Sequence, residues 1–245
     1  MYQLLLYLLS NLMKIINRTQ VINNNRLLEF QIKIMKKSFV LIFLFVSFIT
    51  FSQESPFQKF KKISCAEKRW VLFHPFIAKK TFRISSNTSK ISNEMLSDSL
   101  LDGDGNGGQV DAFRHAFWMA SLSQQIRWRA VYKLGKAHEK GNKKDFKKHR
   151  FEEGTLPDEP SCQMDYLNND IGIAIGRQQD NISQDSLIRF IKQEILLGKM
   201  FVLKKNKLGN FLDADGNVLL LESYQGKWLN EKCIVSSNLK SKTIE

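Results

Sequence analysis

Cysteine is scarce in this sequence, and the cysteines that are present lie far apart. Cys65, Cys162 and Cys233 form no C-x-x-C pair, so their spacing excludes a zinc ribbon or a dithiol redox site. An oxidising compartment would allow one disulfide and leave one thiol over, and all three pairings are open. We therefore expect structural or idle cysteines rather than catalytic ones.

Familiar catalytic signatures are also missing. The chain contains no G-x-S-x-G and no cysteine beside its histidine motifs, so a serine or cysteine nucleophile is not indicated. It has no H-E-x-x-H either, because Lys140 and Gly141 follow the His138–Glu139 pair. No recognised nucleic-acid module accompanies the basic residues, so we do not expect nucleic acid as a partner.

Long apolar runs are limited to one short segment near the beginning. Residues 35–37 read Met-Lys-Lys and are followed by an almost unbroken apolar run over residues 39–51. A cationic head, an apolar stretch of about a dozen residues and a small residue at the end are typical of a secretory signal peptide. Thr50 and Ser52 would precede a cut before Gln53. A transmembrane helix needs about 20 apolar residues, so this run is too short to be an anchor.

The predicted cleavage divides the chain into three parts. Residues 35–52 are the signal peptide and residues 53–245 a single mature domain, exported to the periplasm or the extracellular space. Residues 1–34 either lie upstream of the true translation start, which would then be Met35, or form a genuine long leader. Without residues 1–52 the chain keeps 31 basic and 23 acidic side chains, a net charge of +8 against +13 for the whole chain. About 190 residues are enough for one domain with its own core.

The basic excess is concentrated between Lys133 and Arg150. Eight lysines or arginines stand there against only Glu139 and Asp145. Such a run is most often a solvated surface segment, and the alternatives are contact with an anionic lipid surface or a cell-envelope polymer. We expect no transmembrane anchor in the mature domain.

Hydrophobic periodicity predicts a mainly α-helical domain with a small C-terminal β-hairpin or meander. The central helices are predicted from Val110 onward and over residues 127–140, 161–177 and 183–198. Before them, residues 57–80 indicate one or two helices broken by Pro75, and residues 85–92 a polar linker. The basic segment after residue 140 and residues 154–160 are predicted as a loop. The predicted strands are residues 200–203 and 218–221.

Four side chains share one face of the first central helix. Asp111, Arg114, His115 and Trp118 lie at positions i, i+3, i+4 and i+7, which a helix places in one row. This combination is unusual on a merely solvated surface and indicates a site. The other interpretation pairs Asp111 with Arg114 near the helix N-terminus and treats His115 as a satisfied core residue.

Two further patches place polar residues on the neighbouring helices. The second helix ends in A-H-E at residues 137–139, and the third contains M-D-Y-L-N-N-D-I-G with Asp165 and Asn169. Gly172 and Gly176 lack side chains, so the third helix can approach a neighbour closely. We therefore expect the polar faces of the three helices to converge.

These motifs, in order, resemble an uncharacterised bacterial family of exported domains. D-A-F-R-H-A-F-W, A-H-E and M-D-Y-L-N-N-D-I-G match its R-H-A-x-W and M-D-x-x-N-N helices, over about residues 105–177. The resemblance implies the identity of the domain and directs attention to its polar residues. It implies no reaction.

The predicted constellation suits a hydrolase-like site. Imidazole, carboxylate and amide groups together can hold a divalent metal ion or perform metal-free acid–base chemistry. The candidate metal ligands are His115, His138 and Asp165. The candidate catalytic residues, led by His115, are Asp111, Arg114, His115, His138, Glu139, Asp165 and Asn169. Two alternatives stay open: ligand binding without turnover, and a polar network that only holds helices together in a non-enzymatic envelope interaction module.

Two loops resemble fragments of calcium sites. Asp102, Asp104 and Asn106 take positions 1, 3 and 5 of a Ca²⁺ loop, but Phe113 stands at position 12 where a bidentate Glu belongs. A flexible Gly-rich turn that admits substrate or caps the next helix is the favoured interpretation. The D-A-D-G-N sequence of residues 213–217 is predicted as a hairpin turn.

Overall fold

The computed structural model describes residues 56–151 and 155–238. The predicted signal peptide, residues 35–52, and the leader, residues 1–34, lie outside the described residues. Within the described part the chain forms eight α-helices, one 3₁₀ turn and a two-stranded antiparallel sheet, which confirms the mainly α prediction. The elements are α1 (Pro56–Lys62), α2 (Cys65–Phe73), α3 (Pro75–Glu94), the 3₁₀ turn (Met95–Ser97), α4 (Gln109–Ser123), α5 (Trp128–Lys147), α6 (Glu159–Gln178), α7 (Gln184–Leu196), β1 (Phe201–Leu203), α8 (Leu221–Tyr224) and β2 (Ile234–Ser236).

Helix α4 is the centre of the molecule. Phe113 and Phe117, one turn apart, are almost completely buried and stack on each other with ring centroids 5.2 Å apart. One side of α4 packs with α7 and β1 through residues such as Ile191 and Met200. The other side packs through Met119 against residues of α2, α3, α5 and α6. A helix buried on most sides needs apolar or small residues on those sides, and α4 supplies them everywhere except on the face of Asp111 and His115.

Helices α4 and α6 approach each other backbone to backbone. A Cβ added at Gly172 would lie 2.3 Å from the carbonyl oxygen of Ala116, and one at Gly176 would lie 2.4 Å from that of Ala120. Both distances are far inside van der Waals contact, so only glycine fits. The prediction that these two glycines permit a close helix contact is confirmed.

Side-chain caps determine where several helices begin. Ser64 and Glu67 form a capping box at α2, in which each side chain accepts a hydrogen bond from the other residue's backbone N–H, at 3.2 and 2.8 Å. Asp158 caps α6 by accepting from the Ser161 N–H at 2.9 Å. Such caps satisfy N–H groups that the first helical turn leaves without partners.

The polar linker predicted at residues 85–92 is wrong, because these residues belong to α3. Their hydroxyl groups are accommodated by the packing. Ser85 accepts a hydrogen bond from the Trp118 indole at 2.7 Å, and the buried Thr88 donates to the Ile84 carbonyl at 2.9 Å. Small hydroxyl side chains therefore serve as packing residues in this helix.

The basic segment is helical further than predicted, since α5 continues to Lys147 instead of ending near residue 140. Gly141 and Asn142 are buried in the continuation. A Cβ at Gly141 would lie 2.6 Å from the Ser64 Cβ, so this glycine lets α5 lie directly against α2. Lysines in the last turn also interact favourably with the helix dipole.

The predicted strand at residues 218–221 is also wrong, although a small C-terminal sheet is present. Strand β1 pairs with Ile234–Ser236, with Val202 opposite Val235. Val218 forms only an isolated bridge with Leu212. The turn between them, predicted as a hairpin turn, is held by Asp213, which accepts from the Asn217 backbone at 2.8 Å. The true partner strand lies too far along the chain for a hairpin pattern to reveal it.

Cys65, Cys162 and Cys233 all lie in the described residues, and no disulfide joins them there. Among the helices of residues 56–151 and 155–238, none has the length and apolar character needed to cross a bilayer.

Candidate functional site

The close contact between α4 and α6 brings two polar faces together. Helix α4 contributes Asp111, Arg114 and His115, and α6 contributes Asp165 and Asn169. All of these except Arg114 are buried. The predicted convergence of three helices is thus seen for α4 and α6, and the glycines that permit their contact lie on the same helix as two of the polar residues.

His115 is the centre of the cluster, with its side chain 4% exposed. Its Nδ1 lies 3.3 Å from the Asn169 Oδ1, and its Nε2 lies 3.2 Å from the Asp165 Oδ1 and 3.5 Å from the Asp111 Oδ1. An amide oxygen only accepts, so the Nδ1–H donates to Asn169. The Nε2 atom then faces two carboxylates and also lies 3.3 Å from the guanidinium of Arg114, which can donate a hydrogen bond to it.

Asp111 is held from both sides. Its Oδ2 accepts the Gly107 N–H at 2.6 Å, and its Oδ1 pairs with the guanidinium of Arg114. The position in the first turn of α4 also favours a negative charge, because the helix dipole is positive there. Both carboxylate oxygens of Asp111 therefore have partners, which fix the orientation of the side chain.

Asp111, His115 and Asp165 form a group of metal-ligand type. Each offers one ligand atom, and the three atoms lie within 4.8 Å of one another. In the part of the chain that the structure describes, this is the only group of three or more His, Cys, Asp or Glu residues with such spacing. Donors at these separations can close around one ion with small side-chain movements.

The two carboxylates of this group reach a cleft at the surface. The cleft is small, with a cavity volume of about 30 Å³. It is lined by Gly105, Asn106, Asp111, Arg114, Asn142, Thr155, Pro157, Ser161 and Asp165. The cluster is therefore not sealed in the interior: Asp111 and Asp165 face the cleft, and His115 lies behind them.

His138 lies outside the group of three, in contrast to the predicted metal set of His115, His138 and Asp165. Its ring centroid is 6.3 Å from that of His115. Its Nδ1 lies 3.1 Å from a carboxylate oxygen of Glu67, and the Trp118 ring packs against it edge-on. Helix α5 thus turns His138 toward α2, and Asp111 takes the third position beside His115 and Asp165.

Glu139 lies on the next face of α5 and is almost completely buried. It accepts a hydrogen bond at 3.0 Å from Asn142, which lines the cleft. Burial first, and then the charge of Glu139, raises the pKa of Tyr166 to about 12, so this phenol stays neutral. Glu139 therefore supports the wall of the cleft rather than lining it.

Sequence reasoning missed Glu67 and Asn142. The signal for Glu67 was its S-x-x-E capping box with Ser64, and Asn142 stands three residues after Glu139, on the same side of a helix that was predicted to end too early. Burial acts to raise the pKa of Glu67, but its hydrogen bond and charge interaction with His138 and its bonds to Ser64 outweigh burial. The net pKa lies below the ordinary 4.5.

We expect Glu67→Gln to lower the free energy of unfolding at neutral pH by about 1–2 kcal/mol, because a charge-assisted hydrogen bond is lost. A carboxyl with a depressed folded pKa stabilises the protein above its unfolded pKa, and this contribution disappears as pH falls through the folded pKa. The difference in free energy of unfolding between the variant and the wild type should therefore shrink as pH falls below about 4.5. Urea denaturation at several pH values measures it, and a gap that stays constant down to acid pH would contradict the assignment.

The loop from Asp102 to Gly108 uses its carboxylates internally. Asp102 accepts from the backbone N–H groups of Asp104 and Gln109 at 2.9 and 2.7 Å. The ammonium of Lys205 pairs with Asp104 and donates to the Asn106 carbonyl at 2.6 Å. A side-chain cation thus stands among the oxygens that a Ca²⁺ loop would offer, which favours the interpretation as a capping turn.

One comparison with known proteins identifies the chain, and two give no match. No curated protein matches it, and no solved structure does. A family model described as a domain of unknown function, DUF6973, matches residues 68–199, more than half of the chain. The match contains every residue of the polar cluster and confirms the resemblance to an uncharacterised family. The chain belongs to the DUF6973 family.

Proposed function

We propose that this protein is an exported hydrolase that holds a divalent metal ion between Asp111, His115 and Asp165. The observation that carries the proposal is the convergence of these three ligand atoms within 4.8 Å, at the inner end of a surface cleft. The Arg114 guanidinium pairs with Asp111 and lies 3.3 Å from the His115 Nε2, so it offsets part of the negative charge of the two carboxylates, and a divalent ion would have to share the site with it or displace it. An ion would satisfy all three ligand atoms at once.

The donor set indicates the kind of ion. One imidazole nitrogen and two carboxylate oxygens suit Zn²⁺ and similar transition metals. Three protein ligands leave a coordination position for water, as in catalytic rather than structural zinc sites. The hydrogen bond from His115 Nδ1 to Asn169 orients the imidazole, which is the usual role of an outer partner of a metal ligand.

The cleft supports hydrolysis as the reaction class. A bound divalent ion lowers the pKa of its water and supplies a nucleophile near neutral pH. Arg114 borders both the cluster and the cleft, with its side chain 26% exposed. Its guanidinium, with Asn142 and Ser161, can bind the oxygens of an ester, a phosphoester or another cell-envelope component.

A second candidate function is an envelope interaction module whose polar cluster only holds the helices together. Its supporting observation is that α5 is a regular helix with a cationic side. The exposed lysines along it are Lys133, Lys136, Lys140, Lys143, Lys144 and Lys147. Such a side would bind an anionic lipid surface or an anionic polymer. Replacing these lysines would then abolish binding but leave the metal affinity of the cluster unchanged.

Metal binding is tested by thermal unfolding with Zn²⁺ or Mn²⁺ added to chelator-treated protein. An ion at about 100 times its Kd adds about 2.7 kcal/mol to the stability of the folded state. For a domain of this size that corresponds to a rise of roughly 5–10 °C in Tm. We expect this rise in the wild type and its loss in Asp165→Asn, which removes one of three ligands.

Asp170→Asn is the matched control, since it makes the same change on the same helix outside the cluster and should keep the metal response. The metal-free proteins separate the two candidate functions. A structural network predicts that Asp165→Asn costs about 1–3 kcal/mol without metal. Wild-type protein with no metal response, together with that loss, would leave only the structural network.

A further inference from the structure

We propose that the corner between α2 and α3 is an insertion tip for the surface of an anionic lipid bilayer. The tip consists of Leu72 and Phe73 at the end of α2 and Phe76 at the start of α3. This inference concerns a different surface from the polar cluster, and it does not depend on the proposed hydrolase activity.

The tip exposes three large apolar side chains close to one another in sequence. Leu72 is 73% exposed, Phe73 76% and Phe76 99%. Single exposed apolar residues are ordinary, but a group of large ones at one exposed corner marks a binding surface. Phenylalanine and leucine are typical of the buried side of segments that lie in a membrane interface.

The residues beneath the tip hold it rigidly. Trp70 is buried, and its indole N–H donates to the Ala130 carbonyl at 2.9 Å. His74, in the turn itself, stacks on Trp70 with ring centroids 4.5 Å apart and has its Nδ1 2.8 Å from the Trp70 carbonyl oxygen. A preorganised apolar corner loses little conformational freedom when it binds.

The charges around the tip determine the kind of partner. Lys68 and Arg69 lie within about one helical turn before the tip and Lys79 and Lys80 within about one turn after it, and no acidic residue stands between Lys68 and Asn93. The Lys80 ammonium donates to the Gln125 carbonyl at 3.0 Å, which places the tip near the start of α5, where Arg127 and Arg129 are exposed. Anionic lipid headgroups attract cations placed in this way, whereas the same cations on a second copy of this corner would repel them.

The apolar side chains also distinguish the binding expected of this tip from that of the cationic side of α5. Lysines alone adsorb to any polyanion, and that adsorption is lost as salt shortens the Debye length from about 10 Å at 0.1 M to about 3 Å at 1 M. Aromatic side chains flanked by cations add burial in the acyl region. The tip therefore predicts insertion and not adsorption alone.

Insertion can be measured at position 76 in the full chain as the fluorescence difference between the variant Phe76→Trp and the wild type, which has four tryptophans of its own. Phe76 is almost fully exposed, so the change should not affect folding. We expect the added tryptophan fluorescence to shift to shorter wavelength with vesicles of phosphatidylcholine and phosphatidylglycerol, and to be quenched when the acyl chains are brominated. Pure phosphatidylcholine vesicles should have at most a weak effect. Leu208→Trp, at another highly exposed site, should show neither shift nor quenching.

A triple variant tests the energetics of the same surface. Leu72→Ser, Phe73→Ser and Phe76→Ser together should weaken binding to the anionic vesicles at least about tenfold, a change of 1.4 kcal/mol, without lowering Tm. The proposal is overturned if the tryptophan at position 76 does not respond, or if it responds equally to neutral vesicles. A shift without vesicles that grows with protein concentration would instead assign the tip to contact between copies of the chain.

Discussion

Gly172→Ala is expected to lose about 3 kcal/mol or more of its free energy of unfolding, because α4 and α6 must separate to make room for the methyl group. The added Cβ would lie 2.3 Å from the Ala116 carbonyl oxygen and 2.8 Å from the Ala116 Cα. Both neighbours are backbone atoms, which no rotamer change can move. Overpacking of this kind costs about 1–3 kcal/mol when side chains can adjust, and more when they cannot.

The matched control is Gly135→Ala, the same substitution in α5. There the nearest atom to an added Cβ is the Met119 sulfur at 3.4 Å, an ordinary contact. Alanine favours a helix over glycine by about 1 kcal/mol, so this variant should be neutral or slightly stabilised. Denaturant midpoints compare the two. Similar midpoints would show that the backbone contact between α4 and α6 is less tight than described.

The same variant also reports on the candidate site. Asp111 and His115 lie on α4, whereas Asp165 and Asn169 lie on α6, so any separation of the two helices lengthens the distances within the cluster. A Gly172→Ala protein that folds should therefore bind metal more weakly than Gly135→Ala.

We expect Asn168→Asp to lower the free energy of unfolding by a comparable amount, although the substitution replaces only the amide nitrogen with an oxygen of similar size. Asn168 is fully buried. Its Nδ2 donates to the Phe201 carbonyl at 2.9 Å, and its Oδ1 accepts from the Phe201 N–H at 2.9 Å. A carboxylate keeps the second bond but turns a negative oxygen toward the carbonyl. An uncompensated buried charge costs about 3–5 kcal/mol.

The difference in free energy of unfolding between Asn168→Asp and the wild type should increase with pH. A protonated carboxyl can donate to the Phe201 carbonyl, so the folded state favours the protonated form and raises its pKa. The variant is then closest to wild type below the unfolded pKa of about 3.9, and the gap widens as pH rises toward the folded pKa. Asn87→Asp, at an exposed site, should change stability by less than about 0.5 kcal/mol. Equal effects of the two variants, or a gap independent of pH, would disprove this role of Asn168.

The central helices could be predicted because their information is local. The recurrence of Val110, Phe113 and Phe117 indicates α4, and the spacing of Asp111 and His115 on one helix already places them side by side. Gly172 and Gly176 indicated the close contact as well. For these elements, spacing along the chain determines position in space.

The features that could not be predicted depend on contacts between segments that are distant along the chain. His138 and His115 both looked like ligands, but the rotation of α5 about its axis, set by its packing on Ser64 and Glu67, turns His138 away. Asn168 and Asn169 are neighbours in sequence with different partners, because successive residues point about 100° apart. One bonds to β1 and the other to His115. The pairing of β1 with β2 likewise joins distant segments.

Gly107 connects the cluster to a part of the chain beyond the family match. Its N–H donates to Asp111, and its carbonyl accepts from the Leu203 N–H at 2.7 Å. Lys205 holds the same loop through Asp104 and Asn106. The match ends at residue 199, yet these contacts come from residues 203 and 205. A fragment cut at the family boundary would keep Asp111, His115 and Asp165 and lose the contacts that hold the loop beside Asp111, so the smallest unit with an intact cluster is longer than the family boundary implies.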